Sequence, residues 1–298
     1  MVGDIVKYSI LTLFIVLIST LMFTTTIKQD WILFTNGSKV EPLLSVDAKI
    51  VVIDYSSDGS EKGEFTKSQI EILKKAGKKV FAYLNVGIAE NWRFYWKNLD
   101  KSLLLGPLEG WAGEYYVKYW EPKWFEVVNE YAKRINNAGF DGVMVDWVNV
   151  YEHTNLQKMS GKSQSELEDS MLSLLRRLAI NHGNLEFALV NGEKVLNNYP
   201  DLAQRAKYIV IESLFFKKSK LSIDTQGFLS RISVISNVQK LGVTVLSVEY
   251  IDNGNAFDKA NAERIKQYIE LARKYGFLYY IARTDLKLDT INVPRIPN

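Results

Sequence analysis

The sequence predicts a (β/α)8 TIM barrel preceded by an apolar N-terminal segment, on three observations. Eight short apolar runs alternate mostly with helix-like segments between residues 29 and 298 of the 298-residue chain, the rhythm of one parallel barrel. Four runs stop on a carboxylate: Val51-Val52-Ile53-Asp54, Val143-Met144-Val145-Asp146, Ile209-Val210-Ile211-Glu212 and Leu246-Ser247-Val248-Glu249. The turn after the first run, Asn36-Gly37-Ser38, lacks the GxGxxG spacing that a doubly wound open sheet would favour there.

The elements follow in order. Trp31 to Phe34 reads as the first strand and Ile50 to Asp54 as the second. Phe65 to Ala76 is an amphipathic helix, with Thr66 as N-cap, Ile70, Leu73 and Ala76 on one face, and Gly77 closing it. Val80 to Leu84 is the third strand. A long aromatic excursion, Asn85 to Glu121, leads to a helix that starts at Pro122 and ends at Ala138. Gly142 to Asp146 is the fourth strand, and its valines suit burial on both faces. Asp141, just before it, lies at the opposite end of the barrel and serves the turn.

Ser163 to Asn181 is a helix opened by the capping-box spacing of Ser163 and Glu166. Strands five to eight are Phe187 to Val190, Tyr208 to Glu212, Val243 to Glu249 and Phe277 to Ile281. Helices at Phe228 to Leu241 and Asn255 to Tyr275 separate the last three. No helix follows the eighth strand, and the tail with Pro294 and Pro297 reads as irregular. No linker rich in Pro, Gly or Ser divides residues 29–298, so they form one domain.

Residues 1–28 read differently. Tyr8 to Ile27 carries no charge and is long enough to span a bilayer as a helix. No A-x-A-like cleavage site follows, so an uncleaved signal-anchor is favoured over a signal peptide. The rest of the chain is then expected outside the cytoplasm, surface-anchored or secreted, with the membrane as a partner through this segment.

Composition narrows the chemistry. A formal charge of +3 without a long basic run gives nucleic-acid binding little support. There is no cysteine and there are two histidines, His153 and His182, which disfavours a histidine metal site; no metal or cofactor is expected. Both histidines read as loop or surface residues.

In a barrel the strand C-termini share one mouth, and Asp54, Asn85, Asp146, Asn191, Glu212, Glu249 and Arg283 all fall at or just past such ends. Crowded carboxylates repel, which suits one protonated acid beside one ionised partner, the pair that glycoside hydrolysis needs. The excursion after the third strand is rich in rings that can lie on sugar faces. Trp92 there, and Trp147 after the fourth strand, stand nearest to strand ends and are the expected ligand contacts.

The stretches Val52-Ile53-Asp54-Tyr55-Ser56, Lys79 to Gly87 with Ala89-Glu90, Arg93-Phe94-Tyr95-Trp96, Gly139 to Asp146, Glu212-Ser213-Leu214-Phe215 and Val248-Glu249-Tyr250 resemble glycoside hydrolase family 114. The resemblance implies a (β/α)8 endo-α-1,4-polygalactosaminidase-like enzyme acting on a galactosamine-containing polysaccharide. It implies Asp146 and Glu212 as the catalytic carboxylates. Asp54, Tyr55, Tyr83, Asn191, Glu249 with its neighbour Tyr250, and Arg283 would line the sugar subsites, with Asn85 beside them. Asn85 and Ile88 stand where the family pattern has serine and glutamate. A barrel that binds polysaccharide without cutting it is the alternative from another class, since fold alone does not decide function.

Overall fold

The computed structural model describes residues 24–298. Eight parallel strands form one sheet: β1 (Trp31–Phe34), β2 (Ile50–Ile53), β3 (Lys79–Asn85), β4 (Gly142–Asp146), β5 (Glu186–Val190), β6 (Ala206–Glu212), β7 (Thr244–Asp252) and β8 (Leu278–Arg283). They pair in chain order from β1 to β8.

The seam between β8 and β1 is closed by the residues leading into β1. Asp30 N–H donates to the Tyr279 carbonyl at 3.1 Å, and the Asp30 carboxylate accepts from Tyr279 N–H at 3.0 Å. The Gln29 amide accepts from Ile281 N–H and donates to its carbonyl, both at 3.0 Å. These contacts, mostly from side chains, stand in for a ladder at the seam. Trp31 fills the interior and donates its indole N–H to the Ser247 carbonyl at 3.0 Å.

Helices α1 (Lys67–Lys75), α2 (Pro122–Asn137), α3 (Gln164–Asn181), α4 (Gln226–Lys240) and α5 (Lys259–Lys274) wrap the barrel. Thr66 caps α1 and Ser163 caps α3, each in a complete capping box with Gln69 or Glu166. Trp124 of α2 is fully buried and its indole donates to the Val86 carbonyl at 2.8 Å, which pins this helix beside the end of β3. Asp141 accepts from Val80 N–H at 2.9 Å and pairs with Lys74 at 2.7 Å, at the end of the barrel away from the strand C-termini.

Four expectations change. The excursion is not structureless: Ile88–Glu90, Leu104–Pro107 and Glu114–Val117 form a three-stranded antiparallel sheet. Short helices also occur at Thr154–Ser160 and Glu193–Asn198. The tail is not wholly irregular, because Arg295–Pro297 pairs antiparallel with Thr24–Thr26 and buries Ile296. His182 is buried rather than on the surface; it caps α3 and hydrogen-bonds Asn129 at 3.0 Å.

The expected membrane segment lies mostly outside the described residues. Its last part, Thr24–Thr26, is extended strand rather than helix. Among the described residues no helix is long and apolar enough to cross a membrane.

Candidate active site

The C-terminal ends of the strands open into a cleft of about 700 Å³. Asp146 ends β4 and Glu212 ends β6, and both line this cleft. Each is held by a tyrosine. Tyr83 donates to Asp146 Oδ2 at 3.0 Å, and Tyr250 donates to Glu212 Oε1 at 2.6 Å. Burial, then nearby negative charge, drives both phenols well above their ordinary range, so both stay protonated donors. Asn191 adds a bond from Nδ2 to Glu212 Oε2 at 3.3 Å and accepts from Glu212 N–H at 3.2 Å.

Burial, followed by the charge of Glu212, pushes Asp146 up to about 7, although Trp147 N–H (2.7 Å to Oδ1) and Tyr83 oppose the shift. Near neutral pH Asp146 therefore still holds part of its proton at the barrel mouth.

The backbone marks the same place. Trp147, Asn191 and Ser213 each follow the last residue of β4, β5 and β6, and each has positive φ (60°, 47° and 49°) without being glycine. Left-handed backbone at such residues costs about 1–3 kcal/mol and gathers where a site over-determines the chain. Gly87 makes the turn at Trp147 possible, since a Cβ there would stand 2.4 Å from the Trp147 carbonyl oxygen. Gly87→Ala is expected to cost about 1–3 kcal/mol through this overpacking, read as a lower midpoint in urea unfolding.

A second charged group forms the adjoining wall. Arg93 Nη1 bridges both oxygens of Asp54 at 2.7 and 2.8 Å, while Nε and Nη2 reach Glu90 at 2.7 and 3.3 Å. All three side chains are buried. Burial raises Asp54 and Glu90 even though Arg93 pulls both down. The guanidinium also lies 5.5 Å from the Tyr83 ring centre, so this cluster touches the phenol that holds Asp146. Asn85 is buried behind it and links the two groups, with Nδ2 3.4 Å from the Tyr83 hydroxyl.

The expected ligand contacts divide accordingly. Asp54, Tyr83, Trp92, Trp147, Asn191 and Tyr250 line the cleft together with the two carboxylates. Tyr55, Asn85, Glu249 and Arg283 do not, and Asn85 is buried. Tyr55 is buried edge-on against Tyr131 and Phe94, with ring centres 4.7 and 5.9 Å away. Glu249 is fully buried and accepts from Phe215 N–H at 2.7 Å and Phe216 N–H at 3.3 Å. Strand alternation explains it: Tyr250 faces the mouth, so its neighbour Glu249 faces away. Burial pushes Glu249 up to about 8, and its carboxylate anchors the loop that carries Ser213. Arg283 is exposed and pairs with Asp285 at 3.2 Å.

Sequence reasoning gave no site role to Glu90 and Arg93, although both lie in the stretches that carry the resemblance, nor to Glu114, Trp111 or His153; all five line the cleft. His153 is half-buried, 3.2 Å from the Tyr116 hydroxyl and beside the Trp147 ring, and burial lowers its pKa. The spacing Glu90-x-x-Arg93 was the available signal for the ion pair. Trp111 is 56% exposed and Trp92 40% exposed, which makes them open aromatic faces at the rim.

Fold and cleft define a class, a (β/α)8 barrel with paired acids and open tryptophans at its C-terminal mouth, the layout of a glycosidase. The chain belongs to glycoside-hydrolase family GH114, whose model matches residues 19–295. An uncharacterised protein of Thermotoga maritima is 31% identical over 273 residues, 89% of this chain and 84% of that protein. The Methanocaldococcus jannaschii protein MJ1477 is 29% identical over 280 residues, 89% of this chain and 79% of that one.

Among solved structures, Aspergillus fumigatus Ega3 in complex with galactosamine superposes with a TM-score of 0.67 at 20% identity, covering 90% of this chain and 96% of that one. The glycoside hydrolase domain of PelA from Pseudomonas aeruginosa gives 0.65 at 15% identity, covering 89% and 97%. At these identities the two structures speak for the barrel fold.

Proposed function

We propose that this barrel hydrolyses an amino-sugar polysaccharide, of α-1,4-galactosaminan type, with Asp146 and Glu212 as the reacting carboxylates. One observation carries the reading: two carboxylates at the ends of β4 and β6 line one cleft, each oriented by a partly buried tyrosine, and one is pushed up to about 7. One carboxyl group protonates the glycosidic oxygen as the bond breaks. The other, ionised, meets the anomeric carbon directly or through a water. Trp92, Trp111 and Trp147 offer apolar faces to the C–H sides of the sugar rings. The galactosamine in the Ega3 complex and the acidic wall around Asp54 and Glu90 both favour a cationic sugar as substrate.

The test incubates the full chain with α-1,4-galactosamine oligomers and related glycans and follows new reducing ends. Binding without cleavage of any glycan would instead support a non-catalytic polysaccharide-binding barrel. A protonated group near 7 also sets the pH profile. kcat is expected to fall as pH rises through about 7, because the acid loses its proton there. A rate still climbing at pH 9 would remove the pair from this role.

We also propose that the domain lies outside the cytoplasm, held by residues 1–28 or released after their removal. The support is the uncharged run from Tyr8 to Ile27. Protease added to intact cells should degrade the domain or find it in the medium; full protection until lysis would overturn the placement.

A further inference from the structure

The barrel is charged oppositely at its two ends. The cleft end carries Asp54, Glu90, Glu114, Asp146 and Glu212 against Arg93, whereas the end where the strands begin is basic. Lys49 precedes β2, Lys207 lies in β6 and Arg295 opens the terminal strand. Lys75, Lys240 and Lys274 end α1, α4 and α5, whose C-termini reach the same end because helices and strands run oppositely. All six are exposed, and none is ion-paired with a described acid. The carboxylates that lead into the strands there are already answered. Asp47 pairs with Lys28 at 2.6 Å, Asp141 with Lys74 at 2.7 Å and Glu186 with Lys79 at 2.5 Å, while Asp30 accepts from Tyr279 N–H. The surplus positive charge is therefore open to a partner.

Helix dipoles favour cations in a last turn and account for Lys75, Lys240 and Lys274. They do not account for Lys49, Lys207 and Arg295, which stand on a loop and on strands. The path of the chain supplies a second observation. Thr24–Thr26 pairs with Arg295–Pro297, and Ile27 N–H donates to the Pro294 carbonyl at 2.8 Å, both at this basic end. These threonines still belong to the uncharged run from Tyr8 to Ile27, so no spacer separates the run from the barrel. A bilayer that holds the run meets the basic end and leaves the cleft pointing away.

We propose that the end of the barrel where the strands begin docks on anionic phospholipid headgroups and so presents the cleft outward. The docking rests on the membrane placement of residues 1–28 proposed above, but lipid charge tests it apart from anchoring. Lipid phosphates accept hydrogen bonds from ammonium and guanidinium groups. Each such cation near an anionic bilayer is worth roughly fivefold in binding.

The chain has no cysteine, so a single dye can be placed by Asn184→Cys, just before β5, or by Asp289→Cys, beside the cleft residue Leu288. Both positions are exposed. The full chain is reconstituted into vesicles of phosphatidylcholine, alone or with an equal part of phosphatidylglycerol. Energy transfer to headgroup-labelled lipid is then measured. With phosphatidylglycerol the dye at position 184 should transfer strongly and the dye at 289 weakly. The contrast should shrink in phosphatidylcholine alone, and in about 1 M salt, where the Debye length is about 3 Å. Lys49→Gln, Lys207→Gln and Arg295→Gln together should lower the ratio of docked to undocked barrels roughly 100-fold, with little change in melting temperature.

Equal transfer from both dyes with phosphatidylglycerol overturns the docking. So does a contrast that ignores lipid charge, salt and the three substitutions, which would leave the anchor alone as its cause. Binding with the expected contrast to phosphatidylglycerol vesicles, and none to phosphatidylcholine, keeps the docking and removes the anchor. A chain that binds neither vesicle removes both.

Discussion

Asp146→Asn and Glu212→Gln are each expected to cut glycan cleavage by roughly 10²–10⁴-fold, the scale of losing a positioned acid, base or nucleophile. Both are near-isosteric, so the tyrosine contacts at 3.0 and 2.6 Å lose charge but keep their shape. The two roles separate by leaving group. An aryl glycoside, which departs without help, should restore activity to the variant lacking the acid and not to the other. Stability should move the opposite way for Asp146→Asn. Its carboxyl group is raised from an ordinary 3.8 to about 7 in the fold, so the native state holds a proton that the unfolded chain releases between these values. Stability from this group is therefore full below about 4 and drains away as pH climbs to about 7. The neutral amide escapes that loss and should raise the melting temperature at pH 7, while matching wild type more closely near pH 4. Wild-type turnover in both variants would sink the proposed pair.

The second large effect is structural. Arg93→Met removes the single guanidinium that joins Asp54 to Glu90 while all these side chains stay buried. Breaking a buried pair from one side typically costs about 3–5 kcal/mol, which for a domain of this size lowers the melting temperature by roughly 6–15 °C. Adding Glu90→Gln should recover part of the loss, because one stranded charge is then gone. A double-mutant cycle is expected to show more than about 1 kcal/mol of coupling between the two positions. Activity should fall further than stability explains, since Arg93 packs on the Tyr83 ring and Tyr83 orients Asp146. A stable, active Arg93→Met would show that the cluster is not buried as described.

The eight strands were legible because each is a short apolar run that a two-layered barrel must bury, and the pattern is local. Thr66, Ser163 and Pro122 marked helix starts for the same reason, as caps act within one turn. The excursion sheet was not legible. Its strands are three or four residues long, and such segments are held by pairing partners rather than by their own preference. His182 misled because a polar side chain can be buried once a distant residue, here Asn129, answers it.

What the sequence determined alone was the order of elements and the fact that carboxylates stand where barrel strands end. Both follow from periodicity, which adjacent residues impose on one another. Only the tertiary structure decided which acids share the cleft. It turned Glu249 from the mouth by strand alternation, tied Asp54 to Arg93 and brought Glu114 against Glu90 from 24 positions away. It also set Asp146 and Glu212 in one cleft under two tyrosine hydroxyls. Charge and burial act through space, and their balance exists only once the barrel has closed.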